Sequence, residues 1–376
     1  MTSTPLNQLA TLGQSIWYDN IHRSLLNNGG LARLIAEDSI TGLTSNPTIF
    51  ENAIAHSDLY DQELSAILQA KPQTDAVSLY EALAISDIQA AADLMRPVYD
   101  QTDGADGYVS LEVSPTLAHD SEGSIDEARR LFKTVDRPNL MIKIPGTTAG
   151  IPAIRTLIGE GININVTLLF SLSHYEQVVN AYLDGLEVWQ SNGGELSQVA
   201  SVASFFISRV DSMFDKALQA IGNPEALNLR GKIGIANAKA TYHEYGQVIN
   251  SKRFKNLARK GGRPQRLLWA STSTKNPDYR DVLYVEELLG PDTVNTLPPA
   301  TLEAFKDHGI AEVRLTAGVD EAIAALDQLS PLGLDYNDLT QILQTDGVNA
   351  FAKSFKDLIR TLETKREAVV LNTKAT

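Results

Sequence analysis

Short apolar runs recur along this chain, and the stretches between them repeat apolar residues at helical spacing. The runs are Ser15-Ile16-Trp17-Tyr18-Asp19, Gly42-Leu43-Thr44-Ser45-Asn46-Pro47 with its closing turn, 107–115, 139–146, 162–170, 199–206, 266–272 and 293–298. Helical patterns fill 31–37, 52–99 with a break at Lys71-Pro72, 124–134, 151–160, 173–191, the stretch from Ser208-Arg209 onward, and 282–289. Strands alternating with helices, without a Rossmann glycine pattern after the first strand, predict an α/β fold: a closed (β/α)8 TIM barrel. An open doubly wound sheet is the alternative. No internal repeat, low-complexity tract or linker divides the 376 residues, so a single domain over 1–376 is expected. It carries a polar, basic helical insert near 228–263 and a C-terminal helical segment over 302–376, with a loop at Ser330-Pro331-Leu332-Gly333.

One strand carries an unusual residue. In Asn139-Leu140-Met141-Ile142-Lys143-Ile144-Pro145-Gly146, Lys143 interrupts an apolar run that a Pro-Gly breaker closes. Burial disfavours an ammonium ion, and a neutral amine is a nucleophile towards carbonyls. A lysine whose head reaches solvent, or one held in an ion pair, is the plainer alternative.

In a barrel of this kind, reacting groups project from the carboxyl ends of several strands. Asp19, Asn46, Glu112, Lys143, Asn165, Thr167 and Ser204 all fall at or near such ends. Each has a structural explanation by itself: Asp19 as a helix cap, Asn46-Pro47 as a turn, Thr167 as a β-branched strand residue. Glu112 and Lys143 stand apart because both interrupt apolar strands. An acid, a base and an amine around one barrel mouth point to carbonyl chemistry through a Schiff base.

Other chemistries find less support. A formal net charge of −14 is unlike that of a nucleic-acid binder, although local cations can still receive a small anionic substrate. The absence of cysteine excludes disulfides, thiolate catalysis and cysteine-bound zinc. His22, His56, His119, His174, His243 and His308 are scattered without a close ligand pair, so no metal is expected. The Gly-x-x-x-x-Gly-Lys phosphate loop is absent, and Gly261-Gly262-Arg263-Pro264 reads as a plain loop. Residues 1–14 show no basic-then-apolar leader, and no apolar run approaches the ~20 residues of a membrane span; a cytoplasmic location is expected.

Four stretches together resemble the transaldolase family, in its longer bacterial form. They are Gly42-Leu43-Thr44-Ser45-Asn46-Pro47-Thr48-Ile49-Phe50, Val109-Ser110-Leu111-Glu112-Val113-Ser114-Pro115, Leu140-Met141-Ile142-Lys143-Ile144-Pro145 and Gly161-Ile162-Asn163-Ile164-Asn165-Val166-Thr167-Leu168-Leu169-Phe170-Ser171. They occur in the family's order, and the resemblance spans 16–298. It implies a (β/α)8 barrel that transfers a dihydroxyacetone unit between sugar phosphates of the pentose phosphate pathway, without a cofactor. By the same resemblance, Lys143 is the Schiff-base lysine and Asp19 takes the hydroxyl proton when the carbon–carbon bond breaks. Glu112 and Thr167 hold a catalytic water, and Asn46 and Asn165 bind the dihydroxyacetone hydroxyls. Ser204 and Arg209 belong to the phosphate site. After the seventh strand this chain has Ala270-Ser271-Thr272-Ser273-Thr274-Lys275-Asn276 where shorter members have Ser-Phe-Arg-Asn. Lys275 then supplies the second cation, Ser271 is taken as the contacting serine, and Ser273 is its rival. A Schiff-base aldolase on the same scaffold, or a silent sugar-phosphate-binding barrel, are the competing functions. Monomer and homo-oligomer both stay open.

Overall fold

The computed structural model describes residues 4–55 and 57–375, with side chains as far as Leu371. His56 and the first three residues of the stretch inspected for a leader lie outside the described residues. Eight parallel strands close into a barrel in strict chain order. They are β1 (Gln14–Tyr18), β2 (Ile40–Leu43), β3 (Tyr108–Glu112), β4 (Leu140–Pro145), β5 (Ile164–Leu169), β6 (Ser201–Phe206), β7 (Arg266–Ala270) and β8 (Thr293–Leu297). β8 pairs with β1 from Gln14↔Thr293 to Tyr18↔Leu297, which completes the closure and removes any sheet edge. The open doubly wound sheet is thereby excluded.

Every residue of β3, β4, β5, β6 and β8 is buried. That explains why these strands read as continuous apolar runs and not as alternating ones. Helices lie between successive strands. The pattern over 52–99 resolves into Asp61–Ala70 and Ala76–Gln101, broken at Lys71-Pro72 as its sequence requires. Asp75 caps the longer helix by accepting from the Ser78 amide, and Leu79, Leu83, Ile88, Ala91 and Met95 line its buried face. The chain leaves that helix through Gly107, at φ +84°, where a Cβ would lie 2.3 Å from the Tyr99 nitrogen. Only glycine permits this approach of helix to strand.

The insert is helical at Ile233–Asn250 and Lys252–Ala258. The C-terminal segment needs a correction. It holds helices Pro299–His308, Val319–Asp327 and Tyr336–Ala375, but 309–318 is not helical. Gly309 turns the chain to an extended conformation, Gly318 is left-handed, and the amides of Arg314 and Leu315 both donate to the Leu289 carbonyl. The last helix runs over the carboxyl ends of the strands. Gln344 donates from Nε2 to the carbonyls of Gly146 (2.9 Å) and Leu168 (3.1 Å), just past β4 and within β5. Among the described residues, no helix is long and apolar enough to cross a membrane.

Candidate active site

Parallel register aligns the polar residues that interrupt three neighbouring strands. Glu112 on β3 pairs with Lys143 on β4, and Lys143 pairs with Asn165 on β5. The three side chains therefore form one row across the barrel wall. Lys143 Nζ lies 3.5 Å from Glu112 Oε2 and donates to the Ser45 carbonyl at 3.1 Å. The Lys143 and Glu112 side chains are only 6% and 5% exposed, so their charges meet almost without solvent screening. The alternative in which the lysine head reaches solvent is excluded.

Asn165 is fully buried in this row. Its amide donates to Ser110 Oγ at 3.0 Å, and its Oδ1 accepts from Ser204 Oγ at 2.7 Å. A hydroxyl on each side thus fixes the orientation of the amide. One strand position later, β5 breaks its register with β6 between Val166 and Leu169, and Leu168 adopts φ +60°. A non-glycine residue in that region stores about 1–3 kcal/mol of strain and persists where surrounding structure enforces it. The bulge lets Thr167 face the barrel mouth while Leu168 turns outward beneath the last helix. Ser271, after β7, is the second left-handed residue at this end, at φ +57°.

A cavity of about 170 Å³ opens above the row. Asp19, Asn46, Lys143, Thr167, Ser204, Arg209, Ser271 and Lys275 all line it. Glu112 joins them through its contact with Lys143, and Asn165 through its bond to Ser204. The structure thus gathers all ten residues singled out in the sequence. A larger cavity of about 410 Å³ lies beside β3, lined by Val77, Ala84, Ile85, Leu131 and Phe355 among others. Glu112 lines this larger cavity, and no lysine does.

Electrostatics divide the cavity. Burial pushes the carboxyls of Asp19 and Glu112 above the ordinary range, while Lys143 pulls each part of the way back. Thr44 adds to that pull on Asp19 through a 2.7 Å hydrogen bond to Oδ1. Glu112 Oε2 and Thr167 Oγ1 are buried and have no hydrogen-bond partner among the described residues. Such atoms are costly unless a substrate or solvent molecule satisfies them. On the opposite side, Arg209 forms no ion pair among the described residues, and burial lowers its pKa against the pull of Asp19 and Glu112. Its guanidinium lies over the Phe206 ring at 5.0 Å. Lys275 is exposed and donates to Ser273 at 2.8 Å, whereas Ser271 Oγ lies 2.9 Å from Ser208 Oγ. Both serines line the cavity, so neither displaces the other. Asn46 Oδ1 caps the helix Pro47–Phe50 by accepting from the Ile49 amide, so the turn role is real and its NH₂ is left over for a ligand.

Thr44, Thr296 and Phe351 also line the site, and the sequence reading assigned them no role. Thr44 lies inside the Thr-Ser-Asn-Pro turn, where its β-branched side chain passes for a strand residue. Phe351 comes from the last helix. Among the described residues, no group of three or more histidine, aspartate or glutamate side chains is placed to hold a metal ion.

A closed (β/α)8 barrel with a buried amine, two carboxyls and two cations at its mouth defines an enzyme of the barrel class built to work on carbonyl compounds. The chain belongs to the Transaldolase/Fructose-6-phosphate aldolase family, whose model matches residues 16–362. It is 48% identical over 351 residues to the transaldolase of Thiobacillus denitrificans, covering 93% of this chain and 97% of that one. It is 49% identical over 358 residues to the transaldolase of Thermobifida fusca, covering 95% and 96% of the two chains. The protein named transaldolase 2 in a Nostoc species is 46% identical over 376 residues, covering 97% and 98%.

Proposed function

We propose that this chain is a transaldolase. It moves a dihydroxyacetone unit from sedoheptulose 7-phosphate or fructose 6-phosphate to glyceraldehyde 3-phosphate or erythrose 4-phosphate. The observation that carries the reading is the buried Lys143 amine, held beside Glu112 and facing the same cavity as Asp19. Family membership and the names of the relatives support it.

The chemistry follows from the geometry. The Lys143 amine adds to the C2 ketone of the donor to give a carbinolamine. Glu112, beside the amine, protonates the departing C2 hydroxyl, and water leaves as the iminium forms. Thr167 supplies a hydroxyl on the same side of the amine. Asp19 then takes the C4 hydroxyl proton, C3–C4 breaks, and its electron pair flows into the iminium to give an enamine. An aldehyde phosphate departs. In the second half the enamine carbon attacks the acceptor aldehyde, Asp19 returns its proton to the new hydroxyl, and water releases Lys143 from the product. The iminium is the electron sink, so neither metal nor organic cofactor is required. Asn46 and Asn165 hold the hydroxyls of the three-carbon unit. Ser204, Ser271, Arg209 and Lys275 form the phosphate end, where Arg209 offers a planar fork and Lys275 a point charge. We read the chain as one domain, which the closure of β1 to β8 into one barrel and the bond from Gln344 of the last helix to Gly146 support.

Reduction with borohydride in the presence of fructose 6-phosphate tests the reading. The expected result is a three-carbon adduct on Lys143, located by peptide mass mapping, with little free dihydroxyacetone released and the unit passing to erythrose 4-phosphate when that acceptor is added. A label on another lysine, or labelling of Lys143→Ala, overturns the assignment. Rapid release of dihydroxyacetone without acceptor would make the chain an aldolase, the other activity in the family's description.

A further inference from the structure

Among the described residues, the last helix contributes one side chain to the cavity, and it is an apolar ring. Phe351 is 4% exposed; its centroid lies 5.9 Å from Lys143 Nζ and 5.8 Å from the Arg209 guanidinium carbon. It spans the cavity from the amine to the cation that receives phosphate. The helix that carries it is fixed at several points. Gln344 ties it to the ends of β4 and β5, Thr48 Oγ1 donates to Ser354 Oγ at 2.9 Å, and Lys365 Nζ donates to Asp61 Oδ1 at 2.7 Å. One turn before Phe351, Gly347 brings the helix down onto the strained Leu168. A Cβ there would lie 2.8 Å from Leu168 Cδ2 and 3.6 Å from Arg209 Nη1. Gly347 and Phe351 share a helix face, so the close approach at one places the ring at the other.

We infer that Phe351 sets the partition of the enamine on Lys143 between acceptor and water, and so makes the enzyme a transferase instead of an aldolase. The inference rests on the Schiff-base reading above. Hydrolysis of the enamine needs a proton at its carbon to regenerate the iminium. Water oxygen must then add to C2, and the C2–N bond must break to free the amine and dihydroxyacetone, with net consumption of one water. The ring, centred 5.9 Å from the nitrogen, offers no hydrogen bond to hold that water beside the three-carbon adduct, and so slows its hydrolysis relative to transfer. The water that frees the finished product acts after the acceptor has bonded. An aldehyde phosphate enters by a different account: its phosphate is drawn to Arg209 and Lys275, and its carbonyl arrives at the enamine carbon. Excluding water while admitting the acceptor is what closing an active site achieves in general. Here the closure is a fixed side chain.

The test compares Phe351→Ala and Phe351→Leu with the wild type. For each, the rate of acceptor-independent dihydroxyacetone release from fructose 6-phosphate is divided by the rate of transfer from fructose 6-phosphate to erythrose 4-phosphate, read as sedoheptulose 7-phosphate formed. This ratio does not depend on the fraction of folded enzyme. Phe351→Ala is expected to raise it roughly tenfold, a change worth about 1.4 kcal/mol in relative barrier, while borohydride still traps an adduct on Lys143. Phe351→Leu, which keeps most of the apolar volume, should stay near the wild-type ratio. If the ratio is unchanged in Phe351→Ala, or both rates fall by the same factor, Phe351 only packs the helix and the inference fails. Failure of the wild type to form any Lys143 adduct would instead defeat the Schiff-base reading itself.

Discussion

Thr44 Oγ1 donates a hydrogen bond to Asp19 Oδ1 across 2.7 Å, and its own oxygen lies 2.6 Å from Thr296 Oγ1. Each hydroxyl has one proton to give. With that of Thr44 committed to Asp19, Thr296 is the donor in the second bond, and the three side chains form a directed chain from β8 through the end of β2 to the end of β1. Asp19 is thereby oriented and its ionised form favoured, against a burial that raises its pKa.

That relay predicts a pH effect. Asp19 must be ionised to accept the C4 hydroxyl proton, so the acid limb of kcat/KM should lie above the ordinary carboxylate range. Thr44→Val keeps the shape and removes the donor. The Asp19 pKa then rises further, and the acid limb should move to higher pH with the plateau largely retained. A limb that stays in place, or moves to lower pH, would show that Thr44 does not act on Asp19.

Glu112→Gln conserves volume and hydrogen-bonding capacity near Lys143 but removes the transferable proton. Proton transfer by a positioned group is worth ~10²–10⁴-fold, so kcat should fall by that order. The formation rate of the borohydride-trappable adduct should fall in parallel, because carbinolamine dehydration is the step affected. Trapping at the wild-type rate would reduce Glu112 to the ion partner of Lys143.

Arg209 and Lys275 should differ in weight. Arg209 is partly buried and forms no ion pair among the described residues, while Lys275 is exposed. Arg209→Ala should raise KM strongly for phosphorylated donors and little for unphosphorylated fructose, with kcat less affected, since binding common to substrate and transition state is what is lost. Lys275→Ala should give a smaller rise, and its difference from the wild type should shrink as added salt screens the exposed charge. A large kcat loss at unchanged KM would place Arg209 in the chemistry instead.

How far the sequence revealed the site depended on whether a residue broke its local pattern. Lys143 and Glu112 did, because each sets a charged group among buried, mostly apolar strand residues. Their contact was then a consequence of register, Glu112↔Lys143, which eight strands in chain order dictate. Thr44 and Thr296 broke nothing: threonine is an ordinary strand residue, and only closure of β8 onto β1 brings the two hydroxyls together. Phe351 was hidden for another reason. Helical periodicity shows that one face of the last helix is buried but not what it covers, and its partner Lys143 is remote in sequence. The loop at 309–318 was missed because its residues suit a helix, and only the two flanking glycines mark its ends.

A last prediction concerns stability. Asp211, one turn into the helix Ser208–Ile221, is 1% exposed and accepts from the Gly234 amide at 2.5 Å. Burial pushes its carboxyl up to about 6, with the Gly234 amide bond opposing and Asp215 adding a smaller upward push. The folded protein therefore holds this proton more tightly than the unfolded chain. Its contribution is fully present below the unfolded pKa, near 3.8, and is lost as pH rises through about 6. The difference of about two pKa steps corresponds to roughly 3 kcal/mol. Asp211→Asn fixes the neutral form, keeps an oxygen for the Gly234 amide, and should remove this dependence. Urea denaturation of both proteins across the interval should show the wild type losing stability relative to Asp211→Asn as pH rises, with the gap levelling off above about 7. A gap that does not change with pH would mean that Asp211 is ionised throughout and that some other group carries the proton.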